Sequence, residues 1–403
     1  MSFIFWHSLN RFSSRIADGE WVRTLSRPST ESIPAEQVFR GYIPELDACR
    51  AVGVILVVLG HFWPGGLNNG PRLVQLPWLL MDCFFVISGF LIAGILLDTR
   101  TKPDYYKSFY LSRSIRILPI YYLTLSTVTC IAYLLASPGY TKMLSEWGSP
   151  LWFFVFLGNI PSALSGSWPY GAEGAYIPLW SLQIEEQFYL LFPLLVHRLR
   201  LETLAVILIG LVCLSLLLRI CFYQMYPDNK LVEYVLLPCR MDGLALGALL
   251  AVRFRLGPWE ISRRWLTYMT LLWLVITLLF VSWSGFYHTR PLNRTFGFLF
   301  SSITSAHVVL WLIMFRGAPV TACLRLAPVR YLGKISYGMY VLHWPVGIAV
   351  IAAMKALGVG ILVQDMAGPV LILVCSTICA SLSWRFLEAP LLSLKNRLNP
   401  RAP

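Results

Sequence analysis

Ten stretches of mostly apolar residues, each close to the ~20 that a helix needs to cross a hydrocarbon core, recur along the chain with only short polar breaks between them. They lie near 46–63, 77–97, 117–136, 178–197, 203–223, 233–252, 265–284, 296–315, 335–354 and 361–384. A chain so patterned has no surface to offer water. Of its 403 residues 57% are hydrophobic and only 13% charged, against about a quarter charged in soluble domains. The expected class is all-α, a polytopic transmembrane helix bundle of about ten spans. A further apolar piece at 151–160 is too short to cross and runs into PSALSGSWPYGAEGAYIP, so it reads as a re-entrant or interfacial segment.

The net charge of +13 does not indicate nucleic acid, because Lys and Arg sit in small clusters between apolar stretches. Such clusters are what the cytoplasmic loops of a membrane protein carry. With the N-terminus inside, the inner segments hold 24 of the 33 Lys and Arg, and the outer ones six: Arg72, Lys142, Lys230, Arg290, Arg294 and Lys355. The asymmetry predicts both termini inside and an even number of spans. Residues 1–44 are expected to be a polar, partly disordered leader, 45–392 the membrane domain and 393–403 a cytoplasmic tail. The opening MSFIFWHSLNRF lacks the long apolar region and cleavage site of a signal peptide. The nine cysteines, nearly all in apolar stretches and without a Cys-x-x-Cys pair, read as buried free thiols and give no metal site.

Ionisable groups inside spans cost about 2.5–3.5 kcal/mol each on insertion scales, so each needs a partner or a task. The first span carries Arg50 near its inner end and His61 near its outer end, eleven residues apart. That spacing returns to nearly the same helix face and separates them by roughly 16 Å. Taken alone, the pair also fits snorkelling to the two headgroup layers. Asp82 falls at a depth similar to His61, and Glu185, Glu186, Arg240, Asp242 and His343 lie within other spans. Carboxylates, histidines and arginines spread over several helices suit a buried proton-handling site. Arg113 and Arg116, one turn apart just before the third span, offer two guanidinium forks for a phosphate, or simply a positive-inside anchor.

Seven segments in order resemble the acyltransferase 3 family, polytopic membrane O-acyltransferases that modify bacterial surface glycans, nodulation factors and some macrolides. They are YIPELDACRAVGVILVVLGHF, DCFFVISGFLI, RSIR followed by ILPIYY, WSLQIEEQFYLLFP, RMDGLALGALLA, ISYGMYVLHWPV and WRFLEAPL, spanning roughly residues 42–392. The resemblance implies an acyl-CoA donor, usually acetyl-CoA, no metal, and a hydroxyl acceptor on a glycan, glycolipid or natural product. It also implies that Arg50, His61, Arg113 and Arg116 matter to activity, and places the protein in a bacterial inner membrane. Because the sequence stops shortly after its last span, the SGNH esterase-like domain that some members append is expected to be absent.

The combined expectation is an O-acetyltransferase in which His61 is the general base, Asp82 or, second, Glu185 orients it, and Arg113 and Arg116 hold the donor's phosphates. The donor's pantetheine arm would thread past Arg50 toward His61; the competing arrangement has both substrates meet at the cytoplasmic face. The alternative function is a proton-coupled transporter or exporter, which also places ionisable groups near the midplane. Aromatic residues in the outer loops, around 147–180 and 283–287, are expected to form an interfacial belt in preference to sugar-stacking platforms.

Overall fold

The computed structural model describes residues 30–32, 41–64, 70–168, 171–257 and 260–398. Most of the expected leader, and the tail beyond Leu398, lie outside the described residues. Ten helices of 17 or more residues occupy the ten apolar windows: α1 Pro44–Phe62, α2 Pro77–Thr99, α3 Tyr105–Leu134, α4 Leu179–Arg198, α5 Leu201–Met225, α6 Leu237–Arg255, α7 Arg263–Ser284, α8 Phe298–Met314, α9 Ala327–Ala356 and α10 Ile361–Ser383. Proline within the first two positions starts α1, α2, α6 and α9, where its missing N–H costs nothing. Among the described residues, eight segments are long and apolar enough to cross a membrane, which makes this a multi-pass membrane protein. The remaining two, α1 and α4, fall short because Glu45, Asp47 and Arg50, or Glu185, Glu186 and Arg198, interrupt them.

α3 departs from expectation. It begins at Tyr105, not near 117, because YYKSFYLSRSIR is polar but contains no helix breaker. Arg113 and Arg116 therefore lie within a helix and not ahead of it. The segment at 151–160 forms two short helices, Leu151–Phe154 and Asn159–Ser165, preceded by an unanticipated helix, Pro138–Trp147, and followed by a 3-10 turn, Gly171–Tyr176. None of these is long enough to cross.

α2 is the hub, packing on α1, α4, α6 and α8, whereas α5, α7 and α10 are mostly exposed to lipid. α2 and α6 approach most closely where each lacks a side chain. A Cβ on Gly89 would strike the Leu244 carbonyl, and one on Gly247 the Val86 carbonyl, the small-residue contact that membrane helices use to bring backbones together. α1 packs on α9 and α10, which joins the first of the ten long helices to the last two. The only strand pairing among the described residues joins β1 Thr30–Ser32 to β2 Glu260–Ser262, antiparallel, with Glu31 opposite Ile261.

The cysteine expectation needs correction. All nine are free, but Cys130, Cys213, Cys221 and Cys323 are exposed. In a bilayer an apolar neighbourhood does not distinguish a lipid-facing position from a buried one.

Candidate active site

Five of the expected site residues line one cavity of about 110 Å³: Arg50 from α1, Arg113 and Arg116 from α3, and Glu185 and Glu186 from α4. Ser88 on α2 and Tyr337 and Tyr340 on α9 are among the other residues that line it. Two further cavities open onto the same arginines. One, about 250 Å³, is lined by Arg113, Arg116, Thr99, Ser108 and Ser112. The other, about 340 Å³, is lined by Arg50, Arg116, Tyr42, Asp47 and Asp98. Both lie at the end of α2, the first against α3 and the second against the start of α1.

These guanidiniums differ in how they are satisfied. Arg50 Nη1 donates to Asp47 Oδ1 at 3.0 Å, one turn away on α1. Arg113 stands 5.8 Å from the Tyr189 ring centroid, and among the described residues neither it nor Arg116 has a hydrogen-bond or ion-pair partner. Two unpaired cations one helical turn apart, reached through cavities, present a field that a polyanion would neutralise. Across the cavity, Glu185 Oε2 accepts from the Tyr189 hydroxyl at 3.0 Å, the same hydroxyl that touches Ser88 Oγ. Glu186 Oε1 is buried without a partner.

His61 sits elsewhere, at the far end of α1, against α9. Its Nδ1 is 2.9 Å from Nε2 of His343, the two rings stack with centroids 5.1 Å apart, and Trp344 meets His61 edge-on at 4.8 Å. His343 Nδ1 lies 2.6 Å from the carbonyl oxygen of Tyr340. Among the described residues the partner of His61 is thus a histidine, and neither carboxylate expected to orient it is bonded to it. Asp82 Oδ1 instead accepts from Arg240 Nη2 at 2.7 Å with both side chains wholly buried, and Glu185 is bonded to Tyr189. Counting residues along a helix gives depth but not the direction a side chain faces: Asp82 faces α6, whereas the His61 face of α1 meets α9.

Arg240 also lies 3.8 Å from the Phe298 ring centroid. Asp242 pairs with Arg219 of α5 at 2.8 Å, again fully buried. Arg240 and Asp242 thus tie α2, α5 and α6 together, away from the cavity. Arg219 was visible as an intramembrane charge, but nothing in the sequence identified its partner. Tyr340 was also missed: its hydroxyl reaches Ser181 Oγ at 2.7 Å and donates to the Pro178 carbonyl at 2.7 Å, and it lines the arginine cavity one helical turn from His343. None of these three cavities is lined by His61 or His343.

The aromatic belt is only partly present. Trp283 is exposed, but Trp147 and Trp180 are buried, with Trp147 Nε1 donating to Ser165 Oγ at 3.2 Å and Trp180 packed on Tyr234 at 4.5 Å. The first contact ties two of the short helices between α3 and α4 to each other, and the second packs α4 on the short helix Val232–Val235.

A family model described as an acyltransferase domain matches residues 43–385. The chain is 28% identical over 366 residues to the peptidoglycan O-acetyltransferase OatA of Listeria monocytogenes, covering 87% of this chain and 56% of that protein. It is 28% identical over 374 residues to YrhL of Bacillus subtilis, named as a candidate peptidoglycan O-acetyltransferase, covering 87% and 55% respectively. A Staphylococcus aureus protein named as a candidate O-acetyltransferase matches at 28% over 380 residues, covering 87% and 57%. The chain spans just over half the length of these curated relatives, and no solved structure matches it. With the family model running from the start of α1 to the end of α10, the chain belongs to the acyltransferase 3 family.

Proposed function

We propose that this protein is an integral-membrane O-acetyltransferase that moves an acetyl group from acetyl-CoA to a hydroxyl of a bacterial surface glycan, from a catalytic domain over 45–392 in the inner membrane with both termini inside. Peptidoglycan is the acceptor in the names of two relatives, and it is the first acceptor to test here. The observation that carries the reading is the pair of unpaired guanidiniums, Arg113 and Arg116, standing with Arg50 where three cavities meet. A nucleotide thioester supplies the phosphates they lack, and the cavities at that end give it access from the cytoplasm.

His61 is the general base. It takes the proton of the acceptor hydroxyl as the oxygen attacks the thioester carbonyl; the carbon–sulfur bond then breaks and the departing thiolate takes that proton back. The thioester reaches His61 past Tyr340, which lines the arginine cavity one turn before His343 on α9. The test is His61→Ala in purified full-length protein given acetyl-CoA and soluble peptidoglycan fragments, followed by CoA release and mass spectrometry of the glycan. Acetyl transfer should fall by about 10²–10⁴-fold while the variant folds as the parent does. A variant as active as the parent overturns the assignment.

A further inference from the structure

We propose that His343 is a positioning residue that fixes His61 as the Nδ1–H tautomer, so that Nε2 of His61 is the nitrogen that receives the acceptor's proton. This rests on the reading of His61 as the base.

The argument is one of donors and acceptors. A backbone carbonyl can only accept, so the 2.6 Å contact between His343 Nδ1 and the Tyr340 oxygen requires the proton to be on Nδ1. A neutral imidazole carries one N–H, which leaves a lone pair on His343 Nε2. That lone pair faces His61 Nδ1 at 2.9 Å, so His61 Nδ1 must be the donor. The lone pair of neutral His61 is then on Nε2, the nitrogen not engaged by His343.

The reverse polarity would set the lone pair of His343 Nδ1 against the carbonyl lone pairs. A doubly protonated His343 would need a counter-charge, and among the described residues no carboxylate is bonded to either ring; the neighbours are the rings of Phe62, Tyr340 and Trp344. The Tyr340 hydroxyl, the one titratable group among those rings, is turned to Ser181 and Pro178. The backbone of α9 is thus the anchor of the relay, with Tyr340 and His343 one turn apart so that one supplies the carbonyl and the other reads it.

During transfer the acceptor O–H bond breaks toward His61 Nε2, the new oxygen–acyl bond forms and the carbon–sulfur bond breaks. The Nε2 proton is then returned to the thiolate, and His343 stays neutral throughout. An imidazole in this role orients the base without fixing a full negative charge in the bilayer, which a carboxylate would.

The test reads the tautomer directly, by ¹⁵N nuclear magnetic resonance of histidine-labelled full-length protein, with the His61 signals assigned from the His61→Ala spectrum. In the parent, His61 should be protonated at Nδ1 and bare at Nε2; in His343→Ala the Nε2–H form should appear. In His343→Gln, whose amide oxygen can accept the same hydrogen bond, the parent tautomer should return. Kinetically, His343→Ala should lower kcat by about 10–100-fold with little change in the KM for acetyl-CoA, and Gln should restore part of it. A parent His61 protonated at Nε2, or an unchanged tautomer in His343→Ala, overturns the proposal even if His61 remains essential. Absence of any His61-dependent turnover in the parent would instead remove the reading of function on which it rests.

Discussion

Arg113 and Arg116 stand one turn apart on α3, the first half-buried and the second exposed, and neither has a direct ion-pair partner among the described residues, whereas the buried Arg240 and Arg219 are paired with Asp82 and Asp242. Replacing both by Ala should raise the dissociation constant for acetyl-CoA, measured by calorimetry on solubilised protein, by at least about tenfold, while acceptor binding changes little. Lys at both positions should recover only part, because it keeps charge without the fork. An unchanged affinity in the double Ala variant would leave the pair as a topological anchor. The Asp82–Arg240 pair predicts a different signature. Asp82→Ala should destabilise the solubilised protein by about 3–5 kcal/mol, since it strands a buried cation, and Asp82→Leu combined with Arg240→Met should restore most of the loss. A double variant melting no higher than the single ones would contradict a purely structural pair. The charges themselves were legible in the sequence, because an ionisable residue in an apolar stretch stands out. Their pairing was not: Asp82 and His61 look equivalent in depth, and the 158 residues between Asp82 and Arg240 hide the contact.

At the level of elements, periodic apolar length located all ten long helices, because lipid imposes the requirement on each span separately. It failed where polarity and helicity part company. The first turns of α3 are polar yet helical, and Pro138–Trp147 is helical without being apolar enough to cross. Close crossings were also illegible, since a glycine in a span reads the same whether it faces lipid or another backbone. Gly89 faces a backbone. Gly89→Val should destabilise the bundle by about 1–3 kcal/mol or more, as the Leu244 carbonyl has nowhere to retreat, whereas Gly210→Val, with open space around it, should not. Equal melting temperatures for the two in detergent would argue against the tight α2–α6 crossing.

For the whole molecule, the first and last of the ten long helices, α1 and α10, are neighbours, and the most extensive helix pairing, α2 with α6, waits on a long stretch of intervening sequence. The arginine cavities lie toward one end of the bundle, and the histidine pair lies beyond Tyr340. The two positions along α1 were legible, but not the α9 residues that stand at each, Tyr340 in the cavity lining and His343 beside His61, because contacts from α9 leave no trace in α1. The Asp82–Arg240 pair also bears on how the protein comes to exist. A chain inserted as it is made delivers Asp82 to the bilayer 158 residues ahead of Arg240, an interval of about 8–30 s at ordinary rates of synthesis. For that time α2 must hold its carboxylate protonated, or linger beside the insertion machinery, so its residence there is set by the ribosome's progress toward α6.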